Sequence, residues 1–325
     1  MNTVLIYAKT GGTKTTQLAR IAERLIRHYK VKGIENPQGR LITADSGYGP
    51  MDHLIKCAEN PNGPIEVIDL HALGNPFGAL GCIADGRWIE MSKGKEGPKL
   101  TWSQETRVSN DICFYLVEGF NTVGSCLLQD HVTAGRKIAE DVVGRTAISS
   151  EITGGTAATH YIGAPGRAHY GNVQSYMLET LLPKLKKIRR QDGTEVPWLI
   201  FTAHEAMGED NLTDKPILGP ASVGKASTGV IAQKFQDTIH IHKIGDPKTG
   251  EIKELRGYFR DHPELTMPAP NNTFFTWPAK ISFPSHVAKK IHTNYPQGFF
   301  PITWDDGLEK LIDYRLDMEL VEVAK

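Results

Sequence analysis

The stretch Thr3-Val4-Leu5-Ile6-Tyr7-Ala8-Lys9-Thr10-Gly11-Gly12-Thr13-Lys14-Thr15-Thr16 decides the fold. Residues 3–8 are a short apolar run closed by a glycine-bearing turn, the pattern of a buried strand. From Lys14 onward Leu18, Ile21, Ala22, Leu25 and Ile26 recur at helical spacing. A strand that passes through glycines directly into a helix builds an anion cradle. Backbone N–H groups of the loop and of the first helical turn converge on one point, and the helix dipole adds to them. Lys14 supplies a point charge there and Thr15 a hydroxyl. Ala8, Lys14 and Thr15 fit the phosphate-loop pattern A/G-x-x-x-x-G-K-S/T at the right spacing. Thr13 departs from it, standing where the last glycine is expected. A β-branched residue resists positive φ. The loop must therefore hold threonine in that conformation or bend differently.

Outward from this junction, apolar runs alternate with helix-period segments. Residues 41–44, 65–70, 111–117, 196–203 and 238–243 read as further strands, and DICFYLV (111–117) has the most continuous apolar character. Between the last two long runs, residues 172–190 carry Met177, Leu178, Leu181, Leu182 and Leu185 on one helical side. Such alternation predicts a three-layer α/β fold around a mostly parallel sheet. Residues 72–105 read as an insertion with a hairpin around Trp88. Residues 144–171 and 205–228, rich in glycine and small polar residues, read as long loops. The core is expected to span 1–260. Residues 261–325 form an irregular, proline-punctuated C-terminal extension that wraps the core or packs on a neighbouring subunit, with one helix near 304–315.

Three strand ends carry polar residues that fit a phosphate site. Glu118 closes DICFYLVE, where an acid lies close enough to hold Mg²⁺ through its water shell. Asp45 ends LITAD; its carboxylate either orients an attacking water or simply closes an Asx-turn at ADSG. Thr202 and His204 end WLIFTAH on the carboxyl edge of the sheet, beside the ligand crevice of an open α/β fold.

Composition narrows the class. Of 325 residues, 40% are apolar and 23% charged, enough for a substantial core. No run approaches the roughly 18 apolar residues that span a bilayer, and MNTVLIYAKTGG lacks a basic n-region, so a cytoplasmic protein is expected. The 37 basic residues balance 37 acidic ones, so any nucleic-acid contact must be local. One basic run, Lys184 to Arg190, suits either such a contact or a solvated helix end. Four widely spaced cysteines, none in a CxxC pair, are expected to be reduced and without a metal. His240 and His242 alternate along a strand and read as one face of a sheet.

The passages LITADSGYG, HYGNVQSYMLETLLPKL, WLIFTAHE and GPASVGKAS, taken with the loop at 8–15, resemble RecA-like P-loop ATPases. They are most similar to the phage-encoded, single-strand-annealing group. The likeness covers about residues 2–244. It implies ATP bound by Gly11, Gly12, Thr13, Lys14, Thr15 and Thr16, and Mg²⁺ near Thr15 and Glu118. It also implies catalysis by Lys14, Asp45, Glu118 and His204, a homo-oligomer, and single-stranded DNA as partner in recombination or replication. Lys225, on a glycine-flanked loop, is the candidate for a cation reaching a neighbouring subunit's nucleotide. Lys9, five residues before Lys14, gives a second resemblance, to the ParA and MinD partitioning ATPases. Two further readings are an NTP-binding assembly protein with weak hydrolysis and a helicase-type or DNA-packaging motor.

Overall fold

A strand apolar at every position needs cover on both faces, and the sheet supplies it. The computed structural model describes residues 1–45, 49–73, 75–94, 97–143, 167–209, 216–223, 228–245, 249, 251–260 and 278–323. Its strands are β1 (Asn2–Ala8), β2 (Gln38–Thr43), β3 (Ile65–Asp69), β4 (Ile89–Gly94), β5 (Gly97–Trp102) and β6 (Ile112–Glu118). They continue with β7 (Trp198–Glu209), β8 (Pro216–Pro220), β9 (Asp237–Gly245), β10 (Ile252–Tyr258) and β11 (Phe299–Ile302). Nine of them form one sheet in the order β11-β10-β9-β1-β7-β6-β2-β3, with β8 paired to β7. From β9 to β3 all neighbours are parallel. β8, β10 and β11 add antiparallel edges.

The two-residue period of β1 feeds two cores. Val4, Ile6 and Ala8 enter one, and Leu5 and Tyr7 the other. The first core is roofed by α1 (Lys14–Val31), through Leu18, Ile21, Ala22 and Leu25, and by the C-terminal helix (Glu309–Val323). The second lies under α2 (Pro76–Ala84), α3 (Phe120–Val143) and the helical stretch Arg167–Leu185. Cover on both faces of a mostly parallel sheet is compatible with a three-layer α/β arrangement. Trp198 donates from Nε1 to the Tyr29 hydroxyl at 3.1 Å, which ties the far end of α1 to β7. Among the described residues no helix is long and apolar enough to cross a membrane.

Several segments differ from the sequence expectation. The run at 196–203 continues as β7 to Glu209 and folds back as β8, so the loop expected from 205 begins as a hairpin. Ala206 faces Gly219 and Met207 faces Leu218 across that ladder. Of the loop expected at 144–171, residues 144–166 lie outside the described residues, and helix begins at Arg167. The hairpin of the 72–105 region is β4–β5. Trp88 stands buried at its foot, with the Arg40 guanidinium 4.5 Å from its ring centroid.

Of the proline-punctuated extension, residues 261–277 lie outside the described residues, and from Pro278 onward it packs into the core. Lys280 bridges Thr238, β11 extends the sheet from β10, and Leu308, Leu311, Ile312 and Leu316 are buried against the α1 side. The last helix starts at Glu309, later than the expected 304, because Thr303 closes a turn first. Its hydroxyl accepts the N–H groups of Asp305 and Asp306. Gln17 accepts the Leu308 N–H at 2.9 Å, and Arg20 and Arg24 pair with Glu309 and Asp313. Deeper in, Arg315 clamps Asp237 at the start of β9, with contacts of 2.7 to 3.1 Å, and lies 3.8 Å from the Phe283 ring centroid. Both charges are buried.

Removing one partner of such a pair strands the other charge, at a cost of about 3–5 kcal/mol. Arg315→Ala is therefore expected to lower the unfolding free energy by about 3 kcal/mol, read from the denaturant midpoint. Asp237→Asn combined with Arg315→Met should regain most of it. A loss below about 1 kcal/mol for the single variant would contradict this role for the clamp.

Candidate phosphate-binding site

Parallel register sets the site. Ala8 at the end of β1 stands opposite His204 on β7 and Ile241 on β9. Glu118 at the end of β6 stands opposite Thr43 of β2. These positions form one row where the parallel ladders end, on the carboxyl side on which an open α/β sheet leaves its ligand crevice.

The loop after β1 takes the turn that threonine was expected to resist. Thr13 has φ +59° and ψ +15°, and it is the one non-glycine residue with positive φ among the described residues. A β-branched side chain there is strained by roughly 1–3 kcal/mol. Gly11 also has positive φ, +69°. A Cβ on Gly12 would lie 2.5 Å from the Ala8 Cβ and 2.7 Å from the Lys9 carbonyl, so only glycine fits. Thr13 occupies the N-cap position of α1, yet its side chain makes no cap hydrogen bond and its buried Oγ1 has no partner. The first turn of α1 contains no acidic residue. The helix therefore presents its N-terminal N–H groups and its dipole without an anion of its own.

Lys14 is buried and folds back over this loop. Its Nζ lies 3.4 Å from the Ala8 carbonyl, 3.3 Å from that of Lys9 and 3.4 Å from His204 Nδ1. These are long contacts for an ammonium, whose charge-assisted bonds run about 2.7–2.9 Å. The charge is aimed but weakly satisfied. Burial lowers its proton affinity, against the pull of Glu118 and Asp45. Since an ammonium only donates, His204 Nδ1 is assigned as the acceptor, which leaves the ring proton on Nε2. Burial and the neighbouring Lys14 depress the His204 pKa and keep the ring neutral.

Thr15 donates from Oγ1 to Glu118 Oε1, while Glu118 Oε2 is buried without a hydrogen-bond partner. Burial raises the Glu118 pKa despite the Thr15 hydrogen bond and the charge of Lys14. An under-satisfied buried carboxylate beside a threonine hydroxyl fits a divalent cation. Thr15 and Glu118 are the residues that would hold it, and the cation would supply the missing counter-charge. Second partners hold the strand ends. Gly119 donates its N–H to Thr202 Oγ1 at 2.9 Å, and His204 donates its N–H to Asn121 Oδ1 at 3.1 Å.

Of the sequence-derived candidates, Lys14 contacts His204 and Thr15 contacts Glu118, with Gly11, Gly12 and Thr13 on the loop that leads into them, while Thr16 is exposed on the first turn of α1. Asp45 joins them electrostatically, because its charge raises the proton affinities of Lys14, Glu118 and His204. Its main chain is fixed by Thr43, whose hydroxyl accepts the Asp45 N–H at 2.9 Å and donates to its carbonyl at 2.8 Å. Lys225 lies outside the described residues. The basic run does not join the site. Val108 and Arg190 bridge just before β6, which places the run at the amino edge of the sheet. There Lys184 pairs with Asp85, and Arg190 bonds Thr194 and the Asn110 carbonyl.

Two participants were missed by sequence reading. Lys243 on β9 lies over the loop, its Nζ 3.3 Å from where a Gly11 Cβ would stand. The alternation of HIHK was its only sequence signal. Glu205 accepts from His240 Nε2 at 2.8 Å in a fully buried pair, and His240 stacks on Tyr7 at 4.7 Å. The β9 histidines therefore brace the strand end behind the loop.

Thr13→Gly relieves the left-handed strain but raises the backbone entropy of the unfolded chain, which offsets part of the gain. The variant should be more stable by up to about 1 kcal/mol in denaturant unfolding, whereas Thr13→Val should not gain. A destabilised glycine variant would show that the threonine side chain contributes more than its backbone costs. No protein-family model and no curated protein matches this chain, so its functional reading rests on the geometry of the site.

Proposed function

We propose that this chain is a RecA-like P-loop ATPase that binds Mg·ATP and hydrolyses it. One observation carries the reading. An uncapped helix N-terminus, a weakly satisfied lysine, a Thr–Glu pair and a neutral histidine converge at one carboxyl edge. Each of them lacks what a nucleoside triphosphate with its cation brings. Lys14 and the loop N–H groups would neutralise the terminal phosphates, where positioning and charge stabilisation account for most of the catalysis. Asp45 is the acid proposed to orient the attacking water. His204, neutral and within reach of both Lys14 and Thr10, is the proposed sensor of the γ-phosphate.

Sheet order favours RecA-like over the partitioning-ATPase alternative. β7, with His204, stands between the loop strand β1 and the acid strand β6. This suits an ATPase in which a sensor strand ends beside the phosphate loop. Lys9, central to the other reading, is exposed on the loop.

Action on single-stranded DNA in phage-type recombination or replication, by a homo-oligomer, is the proposed biological setting. Lys234 is engaged by Glu179 at 2.8 Å, and the 184–190 run lies on the opposite edge. The proposed DNA contact is the acid-free stretch from Lys215 to Lys234, with Lys215, Lys225 and Lys234, of which Lys215 and Lys225 lie outside the described residues. The competing reading, an assembly protein with weak hydrolysis, predicts slow turnover that single-stranded DNA does not raise.

Lys14→Ala should abolish ATP turnover while leaving the thermal midpoint near that of wild type. Glu118→Gln should lower turnover at least tenfold and retain nucleotide, since it acts through the metal. Phosphate-release assays alongside nucleotide-binding titrations check both. Undiminished turnover in Lys14→Ala would sink the assignment.

A further inference from the structure

Beside the phosphate loop a cleft of about 780 Å³ opens between α1 and the C-terminal segment. That volume lies within the range of small-molecule sites. One wall begins at Thr13 and Thr16, immediately before and two residues after Lys14, and continues along the same helical face through Arg20. The other wall is the start of β10, at Ile252, and the turn carrying Trp304.

Trp304 is 99% exposed, and Ile252 is 50% exposed. A tryptophan wholly in water usually sits on a loose loop, but this one does not. Thr303 donates its N–H to the Asp306 carbonyl at 2.7 Å, and Arg20 donates to the Thr303 carbonyl at 2.9 Å. The backbone beneath the indole is thus fixed to α1 itself. Arg20 is also paired with Glu309, so its charge is already compensated within the cleft. Charged residues of both signs, Glu23, Arg27, Lys253, Glu254 and Asp305, complete the lining, so the cleft offers an anion no concentrated positive charge. The indole on its fixed backbone and the Ile252 side chain offer a flat heterocycle an apolar face.

We infer that the nucleoside end of the bound nucleotide occupies this cleft, with its base stacked on Trp304. The inference rests on the phosphate-loop reading, because the cleft gains its meaning from beginning at Thr13 and Thr16. It assigns the C-terminal segment a direct part in nucleotide affinity, with the polyphosphate on the loop and the base on the turn.

ATP and inorganic tripolyphosphate, each titrated calorimetrically with Mg²⁺, separate the two halves of the site. Trp304→Ala, an exposed position that leaves the packing intact, should weaken ATP about tenfold, as expected for loss of one base–aromatic stack. Tripolyphosphate affinity should stay unchanged, and Trp304→Phe should recover most of the loss for ATP. Binding of ATP to Trp304→Ala within twofold of wild type would overturn the base assignment, as would an equal loss for tripolyphosphate. Lys14→Ala tests the underlying reading separately. It should abolish binding of both ligands, and survival of both would overturn the phosphate-loop assignment instead.

Discussion

The chain leaves β1 at Ala8 and enters α1 at Lys14 through a turn that holds Thr13 in the left-handed region. Everything else at the site depends on that passage. It keeps the first N–H groups of α1 uncapped and leaves Gly12 no room for a side chain. It also brings Lys14 back over its own loop rather than out to solvent. Parallel register then does the rest. Because Ala8 and Glu118 end strands of one sheet and His204 stands where β7 leaves its ladder with β1, the groups that would meet a phosphate, its metal and its water converge without any long loop to position them.

The C-terminal segment braces the same helix from the other side. Gln17, Arg20 and Arg24 on α1 all contact residues beyond 300, and Arg315 anchors that segment to Asp237 at the base of β9. β9 in turn carries His240, His242 and Lys243 to the loop. His242 shows how closed this region is, since burial and the neighbouring His240 depress its pKa to about 4. Contacts of the extension are thus continuous with the walls of the proposed nucleotide site.

Much of this was legible in the sequence for a physical reason. Fully buried parallel strands are continuous apolar runs, so β1, β6 and the first half of β7 could be read directly, and their polar ends marked the site. The β7–β8 hairpin was not legible, because AMGE and PILGP lack strand alternation and pair only through each other. β10 and β11 were hidden for a similar reason. β10 (IKELRGY) is largely polar and pairs antiparallel with β9, while the four-residue β11 forms the sheet edge, lies beyond several prolines and is held in the sheet by pairing with β10. Lys243 gave no signal beyond strand alternation, since its role depends on β9 lying beside β1. Trp304 was read only as part of a helix, and its exposure follows from the turn at Thr303 that precedes it.

The central claim is that a triphosphate is held at the junction of β1 and α1. A crystal structure with Mg²⁺ and a non-hydrolysable ATP analogue tests it most directly. The account predicts the terminal phosphate within hydrogen-bond distance of Lys14 Nζ and the loop N–H groups, with the metal next to Thr15 and Glu118. Lys14 should exchange its long contacts with the Ala8 and Lys9 carbonyls for shorter ones to phosphate oxygens. An analogue bound elsewhere, or a loop that keeps its Lys14 contacts unchanged with the ligand present, would contradict the account.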